Sequence, residues 1–233
     1  VCMYETRFNT CSKHIRGDIT FYFSTNITHK ERKEKEKQLE EYNKETAKRR
    51  KSKQGKGKGK GADKDHNYFK IFNIDAEKLG TGIAYNNKTV GPYKKDLEQI
   101  DNRMMKLILN TYPIKTNILN VHAPHAGAKA KEKKTFYDKL KDEYTKLNKH
   151  ECNIVAGDLN ARLIERLPHE EDTLGQFIFK EEGTDINILS RQQLDNRNRL
   201  MDLCQTFNLI PVNTHFEKPA DNLITYRAEA KQA

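Results

Sequence analysis

The stretch Ile154-Val155-Ala156-Gly157-Asp158-Leu159-Asn160-Ala161 decides how this chain folds. Its apolar opening, from Cys152 to Ala156, reads as a buried strand that ends at Gly157-Asp158. Side chains alternate along an extended segment, so Asp158 and Asn160 are expected to point one way and Leu159 the other. Gly157 allows close backbone approach at the strand's exit. A carboxylate beside an amide can activate a water and orient a phosphate oxygen. The same residue types also cap turns, so the pair alone leaves both readings open.

Working outward, Ala128 to His150 has a helical period: Phe136, Leu140, Tyr144 and Leu147 fall on one stripe. Gln193 to Phe207 is a second amphipathic helix, with Leu194, Leu200, Met201, Leu203 and Cys204 on its apolar face. Strands are expected at Val1 to Tyr4, Asp18 to Ser24, Phe69 to Ile74, Gly82 to Tyr85, Met104 to Leu109 and Thr116 to Val121. Asn110 to Lys115 reads as the turn of a hairpin, and Leu209 to Val212 and Asn222 to Tyr226 as final strands. Strands and helices mix without strict alternation, which points to sheets covered by helices.

The chain has 233 residues and a net charge of +10, but the charge is local. Lys30 to Lys64 holds 15 Lys/Arg against 7 Asp/Glu, leaving 28 against 26 elsewhere. Basicity therefore belongs to one tract and says little about the globular part. That tract, about 27–67, is a low-complexity insert passing into a Gly-Lys repeat at Gly55 to Gly61. It reads as an expanded surface loop, or as a nuclear-localisation or nucleic-acid tether around Lys48-Arg49-Arg50-Lys51. Cys2, Cys11, Cys152 and Cys204 follow no metal or redox spacing and read as reduced thiols, implying a nuclear or cytoplasmic setting. No apolar run is long enough for a membrane span. The chain opens on Val1, not Met, and is expected to be a fragment of a longer reading frame.

Four segments in order raise the specificity of the opening motif. Tyr4-Glu5-Thr6-Arg7 closes a strand, and Asn120-Val121-His122-Ala123-Pro124 follows a central one. A helix then leads to Gly157-Asp158-Leu159-Asn160-Ala161, and Asn196-Arg197-Asn198-Arg199-Leu200 precedes Asn213-Thr214-His215-Phe216. Together they resemble the endonuclease/exonuclease/phosphatase superfamily, and more narrowly the apurinic-type endonuclease domain of non-LTR retrotransposons. The resemblance covers most of the chain outside the insert.

It implies a single α/β domain over 1–233, a four-layer sandwich of two facing mixed β-sheets flanked by helices, incomplete at both ends. It implies hydrolysis of a phosphodiester with Mg²⁺ (or Mn²⁺), here nicking of DNA within a polyprotein that also carries a reverse transcriptase. By that resemblance Glu5 and Asp158 hold the metal, Asp158 activates water, and Asn160 holds the phosphate. His122 takes the place of the family's tyrosine, and Arg7, Asn160, Asn196 and Asn198 are the expected DNA contacts. The His122-x-x-His125 spacing also suggests zinc, but Pro124 intervenes and no Cys or carboxylate adjoins it. The family's Asp-bearing strand and Ser-Asp-His motif do not follow Tyr226, nor does an Asn-bearing strand precede Glu5, so reduced or no activity is expected. Two other readings fit the same residues. One is a phosphatase or phospholipid diesterase of the superfamily; the other is a non-catalytic nucleic-acid-binding or nuclear interaction protein working through the basic tract.

Overall fold

The computed structural model describes residues 1–4, 12–24, 80–178, 183 and 185–219, together with Lys37. The strands expected at Phe69 to Ile74 and Asn222 to Tyr226, the insert, Glu5 and Arg7 lie outside the described residues. The chain forms two compact units: Val1–His122 with Leu147–Asp158, and Ala123–Lys146 with Leu159–Ala233.

Among the described residues, the first unit holds eight strands in two sheets of four. One is antiparallel throughout, in the order β1 (Cys2–Tyr4), β4 (Thr81–Asn86), β3 (Ile19–Ser24), β2 (Ser12–Arg16). The other is mixed, running β5 (Lys94–Asp101), β6 (Met104–Leu109), β7 (Thr116–His122), β8 (Cys152–Asp158). Its first three strands are antiparallel neighbours and β8 lies parallel to β7. The sheets pack on each other through Ile83 from one and Met105, Leu107 and Leu109 from the other, joined by Tyr22, Tyr85 and Leu97. Polar pins reinforce this packing. Gln99 Nε2 donates to the Phe23 carbonyl at 2.7 Å, and the Ser24 hydroxyl donates to the Asp101 carbonyl.

Two strands escape a reading of local sequence. β2 forms because the Gly17-Asp18 turn, with Gly17 at φ +57, folds it back onto β3. β5, Lys-Lys-Asp-Leu-Glu-Gln-Ile-Asp, carries almost no β-forming bias and is held by the apolar β6 beside it. The strand expected at Cys152 to Ala156 exists and runs on to Asp158, but it is only half-buried, with Ile154 41% exposed. Among the described residues it is the end strand of its sheet, paired only with β7.

Among the described residues, the second unit holds two α-helices. Helix α1 spans Ala130–Thr145, shorter than the apolar stripe suggested. Ala128 is taken up in a turn onto the His125 carbonyl, and beyond Lys146 the Asn148 side chain accepts from the His150 amide. Phe136, Tyr137 and Leu140 are its buried face. Helix α2 spans Arg191–Phe207 and opens with a capping box between Ser190 and Gln193. It ends at Asn208, which adopts φ +52. Tyr144 of α1 meets Phe207 of α2 at 4.8 Å between ring centroids. Leu209 to Val212 is not a strand: Pro211 lacks an N–H for a ladder, and Val212–Thr214 closes as a 3-10 turn. No helix of the described residues is long and apolar enough to cross a membrane.

Candidate active site

Within the first unit the site is built on the parallel pair β7 and β8. Their register sets Asn120 against Ala156, Val121 against Gly157 and His122 against Asp158, so both strands finish at one end of the sheet. Register partners in a sheet share a face, as do residues two apart on a strand. Asn120, His122 and Asp158 therefore lie on one face. Asn120 identifies that face: its amide nitrogen donates to the carbonyls of Gly82 on β4, at 2.7 Å, and Met3 on β1, at 3.1 Å. Met3 is two residues before Glu5, and Asn120 is two residues before His122. Asn120 is fully buried, and fixing two strands of the facing sheet to β7 is its structural role.

Gly157 has a backbone reason to be glycine. Its φ is +130, and a Cβ there would lie 1.9 Å from the Val121 carbonyl oxygen. Only a hydrogen fits between β7 and β8 at this rung. The His122 ring is 5% exposed and Asp158 is half-buried. The His122 backbone is clasped by Arg103, whose carbonyl accepts from the His122 amide at 2.9 Å and whose Nη1 donates to the His122 carbonyl at 3.1 Å.

In the second unit the amides expected at the site take specific places. Strand β8 stops at Asp158, and Asn160 has φ +48, so strand alternation does not carry from Asp158 to Asn160. Asn tolerates this left-handed conformation better than most residues. Asn160 Nδ2 donates to the Ala123 carbonyl at 2.8 Å. Asn196, on α2, is not a surface residue placed to touch DNA. It is 1% exposed, and its Nδ2 donates to the carbonyls of Pro124 at 3.0 Å and Asn160 at 2.8 Å. Its place is inside, tying together the segments that follow His122 and Asp158 in the chain. Asn198 is exposed on the same helix. His125 is exposed and accepts from the Gly127 amide at 3.1 Å.

Beside Asn196 lies an ion pair that spacing could not reveal. Arg197 and Glu170 are 1% and 2% exposed and meet in a fork, Nη1 to Oε1 at 2.9 Å and Nη2 to Oε2 at 2.6 Å. Nη2 also donates to the Glu165 carbonyl at 2.8 Å, and the Leu167 amide donates to Glu170 at 2.9 Å. Burial opposes the Glu170 charge, but the Arg197 and Leu167 hydrogen bonds outweigh it and hold the carboxyl below its usual range. A carboxyl depressed on folding contributes stability at pH above its unfolded value, and that contribution is lost as pH falls through the folded value. Acid unfolding below roughly pH 4.5 is therefore expected to steepen through Glu170. A Glu170→Gln variant should lose about 3–5 kcal/mol at neutral pH and show a flatter acid limb, read from urea midpoints across pH. An unchanged acid limb would remove Glu170 from the account.

The donor set fits a hard divalent cation in part. Asp158 offers carboxylate oxygens at the strand end, the ligand type such ions prefer. Its expected companion Glu5 lies outside the described residues, among which no three His, Cys, Asp or Glu side chains gather. Of the expected site residues, the first unit brings together His122 and Asp158, and the second brings together Asn160 and Asn196. Comparison with protein-family models and with curated proteins finds no match to this chain.

Proposed function

We propose that this chain is the metal-dependent phosphodiesterase core of a retroelement-type endonuclease that nicks DNA, on the four-layer endonuclease/exonuclease/phosphatase fold. The observation that carries this reading is the parallel pairing that ends β7 at His122 and β8 at Asp158 as register partners. In open α/β sheets ligands bind beyond the carboxyl ends of parallel strands, and this end bears the chemistry-bearing residues of both motifs.

Asp158 and Glu5 would hold a Mg²⁺ or Mn²⁺ ion, which when bound offsets the charge developing on the phosphoryl oxygens. Asp158 would also orient the attacking water and accept its proton. Asn160, in its left-handed turn with Nδ2 donating to the Ala123 carbonyl, would contact the phosphate as the resemblance implies. The His122 ring is nearly closed to solvent, which suits orienting Asp158 better than gripping a DNA phosphate. Asn120 and Asn196 are positioning residues, each fixing backbone near a reacting group through two carbonyls.

The test is conversion of supercoiled plasmid to open circles with Mg²⁺ or Mn²⁺, set against the same protein in EDTA. Metal-dependent nicking, even at a low rate, supports the reading. Hydrolysis of phosphoinositides with no action on DNA would move it to the lipid branch. Metal-independent DNA binding that disappears when residues 30–64 are deleted, with no nicking at all, would replace it with the binding-protein reading.

A further inference from the structure

The end of the mixed sheet remote from His122 and Asp158 carries a second group of side chains that the hydrolytic reading leaves unused. Here β6 ends at Leu109, β7 begins at Thr116, and Leu109 pairs with both Thr116 and Lys94 of β5, while Thr116 pairs with Cys152 of β8. The segments beside these positions are therefore neighbours. They present Tyr112 at 95% exposure, Ile114 at 52% and Tyr93 at 47%. Lys95, Lys115 and Lys149 are exposed alongside them.

The turn that carries Tyr112 is tied at several points. Thr111 Oγ1 donates to the Ile114 carbonyl at 2.6 Å and lies 2.8 Å from Thr116 Oγ1. The Asn110 amide donates to the Tyr93 carbonyl at 2.7 Å, and the Cys152 amide to the Lys115 carbonyl at 2.9 Å. A loop fixed this way holds the Tyr112 ring almost wholly in water and Ile114 half-exposed, with Tyr93 half-exposed on the adjacent segment before β5.

The charge at this end is positive. Among the described residues its acids are Asp96, which accepts from the Leu97 amide, and Glu151, which accepts from Asn117 at 2.8 Å and lies 4.0 Å from Lys115. At about 4.8 Å between strands, four strands span roughly 14 Å, enough for a few nucleotides.

We propose that this end of the sheet binds single-stranded nucleic acid, with bases stacking on Tyr112 and Tyr93 and phosphates lying against Lys95, Lys115 and Lys149. Exposed rings on a fixed turn stack only on bases that are themselves unstacked, so duplex is the poorer ligand. Lysines flanking the rings supply a salt-dependent, sequence-independent attraction for the backbone. The proposal is independent of the hydrolytic site, because the two groups of residues sit at opposite ends of β7 and β8.

Fluorescence anisotropy of the full chain with a short fluorescein-labelled oligothymidylate, across a range of salt, tests it. Tyr112→Ala should weaken binding by roughly 5- to 100-fold, the loss of one base stack, while Tyr112→Phe stays within about threefold. Lys115→Gln and Lys149→Gln should each lower the salt slope by about 0.7. Since Tyr112 is 95% exposed, its variants should melt as the parent does, which separates lost contact from lost fold. Failure of the parent chain to bind the oligonucleotide, or equal affinity for parent and Tyr112→Ala, overturns the proposal. So does a Tyr112→Ala defect confined to anionic phosphatidylserine vesicles, which would make the surface a lipid-facing one.

Discussion

Replacing Asp158 by alanine or asparagine should lower the rate of plasmid nicking by about 10³- to 10⁵-fold while leaving the thermal midpoint nearly unchanged. The size follows from what the carboxylate is asked to do. Under the proposed function it would be both a metal ligand and the proton acceptor for water, so its removal would take away two roles at once. Asp158→Asn is the sharper variant, because it keeps the shape and one acceptor oxygen, and replaces the other by an NH2 donor with no charge or basicity. Asp158 is half-buried at the end of β8, where an amide of equal size costs the sheet little. Nicking by either variant at the parent rate would attribute the activity to something other than this site. A loss of nicking accompanied by a loss of fold would show in the melting curve.

Gly157→Ala is expected to act on the fold and not on chemistry. The new methyl would sit 1.9 Å from the Val121 carbonyl oxygen and 2.9 Å from its carbon, on a residue whose φ of +130 an L side chain rarely adopts. The strain and the clash together should cost on the order of 3–5 kcal/mol, a large share of the stability of an ordinary domain. Because the contact is backbone against backbone, no side chain can turn aside to relieve it. A fair comparison is Gly91→Ala, whose Cβ would meet nothing nearer than Asn87 Cβ at 3.8 Å. That change should move the urea midpoint little. Equal midpoints for the two variants would mean that β8 does not approach β7 as closely as the Gly157–Val121 rung requires.

Much of the framework could be read locally. Residues 104–109 and 116–121 are apolar and β-prone, and both are strands, with 110–115 as their connection. The helix at Gln193 to Phe207 announced itself by its apolar face, and the structure extends it by one turn's start to the Ser190 cap. Strand β5 could not be found this way, since Lys94 to Asp101 is nearly as charged as a loop and becomes a strand only by pairing with β6. Leu209 to Val212 fails in the opposite sense: β-branched residues are present, but Pro211 and the lack of a partner strand among the described residues leave a turn. At the site, residue type was legible and direction was not. Asn196 looked like a donor for phosphate and instead faces two backbone carbonyls, because burial on α2 obliges its amide to find partners inside. The Glu170–Arg197 pair spans residues far apart in the chain, and no local pattern marks such a meeting.

The sequence by itself determined the kinds of group in play, the order of the motifs, and the presence of a glycine at 157 where the strand gives out. Those depend on local propensity and on residue chemistry, which each position carries with it. Tertiary structure alone decided that β8 runs parallel to β7 with His122 opposite Asp158, that Asn120 clasps β1 and β4, and that Gly157 can be nothing larger. These follow from long-range pairing, where the need to satisfy every buried polar group and to fit two backbones a hydrogen's width apart overrides what any short stretch prefers.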